Sequence, residues 1–138
     1  MGPFSRSDRL AVDESAVVNL LLKDQGLMID VGAHHGSACL PFLDRGWWVH
    51  AFEPCAKTRN ILEHRVKSHP YSSRCIINRQ GLGDQRNINV PFYTSEESTG
   101  VSGLSAFLSS HVEAQRIDVT TLRDYMAEAG LSKVDFLK

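Results

Sequence analysis

The sequence predicts an α/β fold with a mostly parallel sheet and helices on both faces. Two apolar runs, residues 27–29 and 47–52, have the length and composition of buried strands, and a segment with helical spacing lies between them at residues 37–45. The first run ends at Asp30 and the second at Glu53. Strand, turn, helix and strand in this order form the βαβ unit of a parallel sheet, with one acid at the end of each strand.

The turn between the first strand and the helix has the composition of a ligand-binding turn. Gly32 and Gly36 lack a Cβ atom, so the turn can be tight and a ligand can approach its backbone. The helix from Ser37 would offer N–H groups to a carboxylate or phosphate. Glu53, at the carboxyl end of the second strand, can accept hydrogen bonds from both hydroxyls of a ribose. The stretch therefore predicts a site for a nucleoside-containing cofactor.

Glycine spacing helps to separate two cofactor classes. A dinucleotide fingerprint that starts at Gly32 requires glycine at positions 34 and 37, which are His34 and Ser37. A pyrophosphate would therefore fit poorly against this turn, whereas S-adenosylmethionine has no phosphate and needs less clearance. An NAD(P)-dependent oxidoreductase is the alternative enzyme class. A non-catalytic nucleotide-binding or oligomerisation module is the alternative outside the enzymes.

The pattern Asp30-x-Gly32-x-His34-x-Gly36 resembles the first motif of class I methyltransferases, with His34 in place of the usual middle glycine. With Ala33 and the run Ala51-Phe52-Glu53-Pro54, the chain more narrowly resembles the FkbM family of S-adenosylmethionine-dependent methyltransferases. The resemblance implies S-adenosylmethionine as cofactor and a hydroxyl group on a small molecule or sugar as the methyl acceptor. The residues that it implies for cofactor binding are Asp30, Gly32, Ala33, His34, Gly36, Ser37, Glu53, Pro54, Gly83 and Asp84.

The parts of the cofactor are expected to contact different segments. Its amino-acid tail would contact residues 32–37, its ribose Glu53, and its adenine the turn at Gly83 and Asp84. A plain turn without a ligand is an equal reading of residues 81–84. For Glu53, the alternative is that it only caps the following helix, and substitution by glutamine is expected to weaken cofactor binding with little change in stability. No catalytic residue is assigned; His35 is considered as a base, with local packing as the preferred role.

Length and composition are those of one ordinary soluble domain. The 138 residues divide into an N-terminal helical extension, 1–26, and a partial S-adenosylmethionine-binding domain, 27–138. A net charge of −1 gives no general attraction to nucleic acid or to an anionic membrane, and neither partner is expected. The three cysteines are widely spaced, so neither a disulfide framework nor a metal site is expected. A cytoplasmic location is expected.

The remaining elements follow from local patterns. Helices are predicted over 8–23, capped by Ser7 or Asp8 and ended by Gly26, and over 55–68 and from a cap at Thr121 to Gly130. Strands are predicted over 74–78, 87–93, 112–119 and 134–138. The second and third of these are expected to form an inserted antiparallel pair, with a loop over 94–111 that is a candidate lid. The resemblance implies truncation after the fourth sheet strand, whose exposed edge is expected to promote pairing with another copy of the chain.

Side-chain directions are also predicted. The residues expected to face the core are Leu10, Val17, Val18, Leu21 and Leu22 in the first helix, Ile61, Leu62 and Val66 in the third, and Leu122, Tyr125, Met126 and Ala129 in the last. Ile88, Val90 and Phe92 are expected on one side of a half-exposed strand. Lys57, Arg59, Arg65 and Lys67 are expected to form a basic, solvated outer face, with Glu63 paired to Lys67.

Overall fold

The computed structural model describes residues 13–22, 24–95, 102–103 and 111–138. Its helices are α1 (Glu14–Leu21), α2 (Cys39–Asp44), α3 (Ala56–Lys67) and α4 (Leu122–Glu128), with a short 3₁₀ turn at Ser72–Arg74. Its strands are β1 (Leu27–Val31), β2 (Trp48–Phe52), β3 (Cys75–Asn78), β4 (Gly81–Gly83), β5 (Asn87–Ser95), β6 (Ser102–Gly103), β7 (His111–Thr121) and β8 (Phe136–Leu137). None of the described helices is long and apolar enough to cross a membrane.

A parallel sheet with the strand order β3-β2-β1-β8 organises the domain. Its two central strands are apolar because side chains on both faces are covered. Met28 and Val49 face the main core with Phe42 of α2 and Trp47. Ile29 and Phe52 face a second cluster that includes Tyr125 of α4. The predicted α/β fold, with helices covering both faces of a parallel sheet, is confirmed.

A second sheet, in the order β4-β7-β5-β6, lies beside the first. The predicted antiparallel pairing is confirmed, because β5 pairs with β7 along most of its length. The predicted turn at Gly81 to Gly83 is wrong, since these residues form β4, which pairs in parallel with β7. The glycines suit that strand, because a Cβ atom at Gly83 would lie 2.9 Å from Val119 Cγ1 and one at Gly81 would lie 3.2 Å from Ile117 Cδ1.

A bulge changes the predicted faces of β5. Phe92 is buried and Val90 is half-buried, as expected, but Ile88 is 77% exposed. The pairing with β7 shifts register between Asn87 and Val90, and Asn89 has a φ of +54°. An extra residue interrupts the alternation of the strand and turns Ile88 towards solvent.

The first helix is shorter than predicted and contacts the core along a narrow stripe. Asp13 caps α1 by accepting a hydrogen bond from the Ser15 N–H at 3.0 Å, whereas the predicted caps, and Leu10, lie outside the described residues. Val18 and Leu22 contact the main core, but Val17 and Leu21 are exposed. The helix ends at Leu21 rather than at Gly26, where a Cβ atom would lie 2.7 Å from Asp135 Oδ2.

The other helices follow the predictions except at single positions. Thr121 caps α4 as predicted, because its hydroxyl accepts from the Asp124 N–H at 3.1 Å. Ala129 is exposed because α4 ends at Glu128, so that the position lies beyond the helix. Ile61 is 40% exposed, while Leu62 and Val66, on the stripe beside it, are buried.

Candidate cofactor site

The turn after β1 is tied to the end of β2. The N–H groups of Gly32 and Ala33 both donate to the Phe52 carbonyl, at 2.9 and 3.0 Å. Gly32 has a φ of +72°, and no atom lies within 4 Å of the position that a Cβ would take. The glycine at position 32 therefore serves a left-handed backbone, and the space beside it is open to a ligand.

Gly36 has a different reason to be glycine. Its φ is +91°, and a Cβ atom there would lie 2.8 Å from Leu62 Cδ1 and 2.9 Å from Leu40 Cγ. The position is buried, so the glycine lets the turn pack closely on α3. A cofactor contact at Gly36 stays a prediction.

His34 adopts a backbone conformation that usually favours glycine. Its φ is +53°, which explains in physical terms why a glycine is usual at this position of the motif. Its N–H donates to Glu53 Oε2 at 2.8 Å, and its ring lies 3.9 Å from that of His35, centroid to centroid. Desolvation lowers the pKa of His35, and the neighbouring charges of His34 and Arg65 lower it further. These effects outweigh the opposing charge of Glu53 and favour the neutral imidazole of His35.

Glu53 joins the two turns that border the predicted site. It is 6% exposed, and while one carboxylate oxygen accepts from the His34 N–H, the other accepts from the Cys55 N–H at 3.0 Å. The second bond is the capping role considered as the alternative, whereas the ribose contact of Glu53 stays a prediction. A carboxylate has about four lone-pair directions, and these two bonds leave capacity for the hydroxyls of a ribose.

Asp30 is a buried carboxyl group beneath the turn. It has no exposed surface, and neither oxygen has a hydrogen-bond partner with acceptable geometry among the described residues. Burial raises the pKa of Asp30, while the charge of Lys138 and the nearby thiol of Cys39 oppose that rise. An unsatisfied buried carboxyl group is costly, which makes this position suited to a cationic ligand group nearby.

Arg59 lies on the buried side of α3, so the prediction that it belongs to the solvated outer face is wrong. Arg59 is 8% exposed, and its Nη1 donates to the carbonyls of Glu53 and Pro54 at 3.1 and 3.0 Å. Leu62 and Val66 follow Arg59 at i+3 and i+7, so all three residues lie on the buried stripe of α3. This spacing is the sequence pattern from which the burial of Arg59 could have been predicted. Among the described residues, Glu63 pairs with Arg59 at 3.6 Å rather than with Lys67.

Gln115 of β7 is a second residue that sequence reasoning missed. Its side-chain oxygen accepts from the Ala56 N–H at 2.8 Å, and its side-chain amide donates to the Pro54 carbonyl. Together with Arg59, it fixes the backbone on which Glu53 is carried. No local pattern could reveal it, because the contact spans about 60 residues of chain.

The other predicted site residues are brought together only in part. Ala33 is buried and Ser37 is exposed, both within the turn, and Pro54 contributes its carbonyl to the contacts above. Gly83 ends β4, and Asp84 follows in an exposed bend. Within the described part of the chain, no hydrogen bond or ion pair links Asp84 to the turn after β1, so its adenine contact stays a prediction. No group of three or more potential metal ligands occurs among the residues that the structure describes.

The Methyltransferase FkbM domain matches residues 30–138, which include the turn, Glu53 and every strand of both sheets except the start of β1. The chain belongs to the FkbM methyltransferase family. The resemblance carried by Asp30, Gly32, Ala33 and Glu53 is thereby confirmed. No curated protein matches the chain.

Several solved methyltransferase structures are similar to part of this chain. The glycopeptide N-methyltransferase MtfA, complexed with sinefungin, is 25% identical with a TM-score of 0.43, over 48% of this chain and 28% of that one. The CcbJ methyltransferase from Streptomyces caelestis is 19% identical with a TM-score of 0.40, over 49% and 28%. Methyltransferase FkbM from Methylobacillus flagellatus KT is 18% identical with a TM-score of 0.47, over 75% and 24%. The chain thus spans 24–28% of the length of these three structures.

Proposed function

We propose that this chain forms the cofactor-binding part of an S-adenosylmethionine-dependent methyltransferase that acts on a hydroxyl group of a small molecule or sugar. The observation that carries the proposal is the Glu53 carboxylate, anchored by two backbone N–H groups beside the open turn at Gly32. Membership of the FkbM family supports the reaction type. MtfA has been crystallised with S-adenosylmethionine, S-adenosylhomocysteine and sinefungin, which are the ligands to test first.

The residues of the turn fit this cofactor. Glu53 would hold the ribose hydroxyls, because its carboxylate is already oriented by the N–H groups of His34 and Cys55. The open space beside Gly32 would admit the amino-acid tail. Asp30 beneath the turn would favour the ammonium group of that tail, because a nearby positive charge stabilises the ionised carboxylate.

The bound cofactor would supply a methyl group on a sulfonium, which is transferred in an in-line displacement. The contribution of this chain is to orient the cofactor. Arg59 and Gln115 support this orientation, because they fix the carbonyls and N–H groups on either side of Pro54. No general base is assigned to the chain.

Thermal unfolding in the presence of ligands tests the cofactor. S-adenosylhomocysteine at 100 times its Kd should stabilise the folded chain by about 2.7 kcal/mol, with NAD as the matched control that should not. Stabilisation by NAD, without any by S-adenosylhomocysteine, would instead support the oxidoreductase.

The acceptor atom needs a second experiment on the full-length protein. Transfer of a ¹³C-labelled methyl group to candidate alcohols and sugars would give an O-methyl resonance, which is distinct from an N-methyl resonance. Transfer to amines alone would refute the hydroxyl acceptor while leaving the methyltransferase assignment in place.

A further inference from the structure

A polar groove lies between the start of α3 and β7, beside the end of β3. Its volume is about 280 Å³, and it is separate from the open space beside Gly32. The residues that line it include Arg59, Arg79, Gln80, Gln115, Arg116 and Asp118. Three guanidinium groups from three separate segments of the chain thus meet at one concave surface.

Arg59 is the buried member of this group, and its hydrogen bonds are incomplete. Nη1 donates to two carbonyls, but Nε has no hydrogen-bond partner and only lies 3.6 Å from Glu63 Oε1. Among the described residues, Nη2 has no acceptor either. A buried guanidinium with unused donors is costly. An oxyanion in the groove, which Arg59 lines, would accept from Nη2, whereas Nε is fully buried and would not be reached.

The charges around the groove also favour an anion. Arg79 is exposed and has no acidic partner in the described part of the chain. Arg116 donates to the Asn89 carbonyl at 2.8 Å, and Asp118 accepts from the Asn89 N–H at 2.9 Å, so that both are oriented by β5. The guanidinium of Arg79 is thus a charge that an anion in the groove would neutralise.

We propose that this groove binds the oxyanion group, a carboxylate or a phosphate, of a small molecule. Nη2 of Arg59 and the guanidinium of Arg79 supply N–H donors to such a group from two sides, and the exposed fork of Arg79 suits two of its oxygens. The volume, near the lower limit of small-molecule sites, suits the anionic end of a ligand rather than a whole large molecule. The site is distinct from the cofactor site, although Arg59 connects the two through the carbonyl of Glu53.

Titration with simple anions tests the proposal without any cofactor. Inorganic phosphate, acetate and chloride would each be added at constant ionic strength and followed by ¹H–¹⁵N NMR of the backbone amides and arginine Nε–H groups. Phosphate or acetate should give saturable shifts at residues 115–118 and at Arg59, with chloride giving none. The tighter of the two oxyanions identifies the ligand as a phosphate ester or as a carboxylate.

A matched pair of variants completes the experiment. Arg79→Gln should weaken oxyanion binding by about fivefold or more, because it removes one charged fork from the groove. Arg123→Gln, at an exposed arginine of α4, is the control and should leave binding unchanged. Equal shifts with chloride, or an unchanged affinity in a folded Arg79→Gln variant, would overturn the proposal.

Discussion

Replacement of Glu53 by glutamine perturbs the predicted site at its best-defined residue. The carboxylate accepts two backbone N–H groups, from His34 at 2.8 Å and from Cys55 at 3.0 Å. Glutamine has one acceptor oxygen, so its NH₂ group would face one of these donors. Hydrogen bonds to a charged group contribute about 1.5–3 kcal/mol each. Loss of one bond and weakening of the other should destabilise the fold by about 2–4 kcal/mol.

This expected loss of stability differs from the prediction made from the sequence, in which Glu53→Gln changes the stability little. The structure shows that Glu53 holds the two turns together through the N–H groups of His34 and Cys55. Ligand affinity should fall too, since a neutral amide is a weaker acceptor for hydroxyl groups. The Kd for S-adenosylhomocysteine, corrected for the folded fraction, should rise at least tenfold, which is about 1.4 kcal/mol.

Urea unfolding and titration calorimetry separate the two effects. Glu128→Gln is the matched control, because Glu128 is an exposed residue whose carboxylate pairs with Arg86 at 3.1 Å on the surface. The control should change the free energy of unfolding by less than about 0.5 kcal/mol. Unchanged stability of Glu53→Gln would refute the hydrogen-bond argument, and unchanged corrected affinity would remove Glu53 from the binding site.

Three further perturbations test the site and the core. Gly36→Ala should destabilise the fold by about 2–4 kcal/mol, because alanine is strained in a left-handed backbone and its Cβ would clash with Leu62. Gly130 also has a positive φ but open space around it, so Gly130→Ala should show only the cost of the backbone strain in urea unfolding. Asp30→Asn should make the cofactor-free chain more stable at pH 7. Burial raises the pKa of Asp30, so the protonated carboxyl group stabilises the fold at low pH, and this stabilisation is lost as the pH rises above the ordinary value of 3.8 and through the folded pKa. A less stable variant at every pH would contradict this. Burial lowers the pKa of His50, so the free energy of unfolding should fall as the pH drops below about 6.5, and His50→Gln should flatten that slope; equal slopes would contradict the assignment.

Much of the parallel sheet could be predicted because its signals are local. Apolar runs mark β1 and β2. Glycines mark the turns, and the cap at Thr121 marks the start of α4. The positions of Gly32 and Glu53 at adjacent strand ends follow from the βαβ unit alone. These are the residues that the structure brings together through His34.

The errors arise where distant segments decide the outcome. The residues at 81–83 look like a turn by composition, and only pairing with β7 makes them a strand. Arg59 looks like a surface residue by type, but the carbonyls of Glu53 and Pro54 provide acceptors for its guanidinium inside the fold. Gln115 is recognisable only when β7 is placed beside α3. Local propensity contains no information about partners of this kind.

The pairing of β1 with β8 has a consequence for how the chain folds. Leu27 N–H donates to Asp135 Oδ2 across 108 residues, and Val31 N–H donates to the Lys138 carbonyl at 2.8 Å. The polar groups on this side of β1 thus acquire their partners only through contacts of high sequence separation, which form slowly because a long loop must close first. During synthesis, β1 emerges from the ribosome about 100 residues before β8. The side of β1 that pairs with β8 stays unpaired until then. We therefore expect a nascent chain to be open to wrong strand pairing along β1, the strand that leads into the turn of the predicted cofactor site.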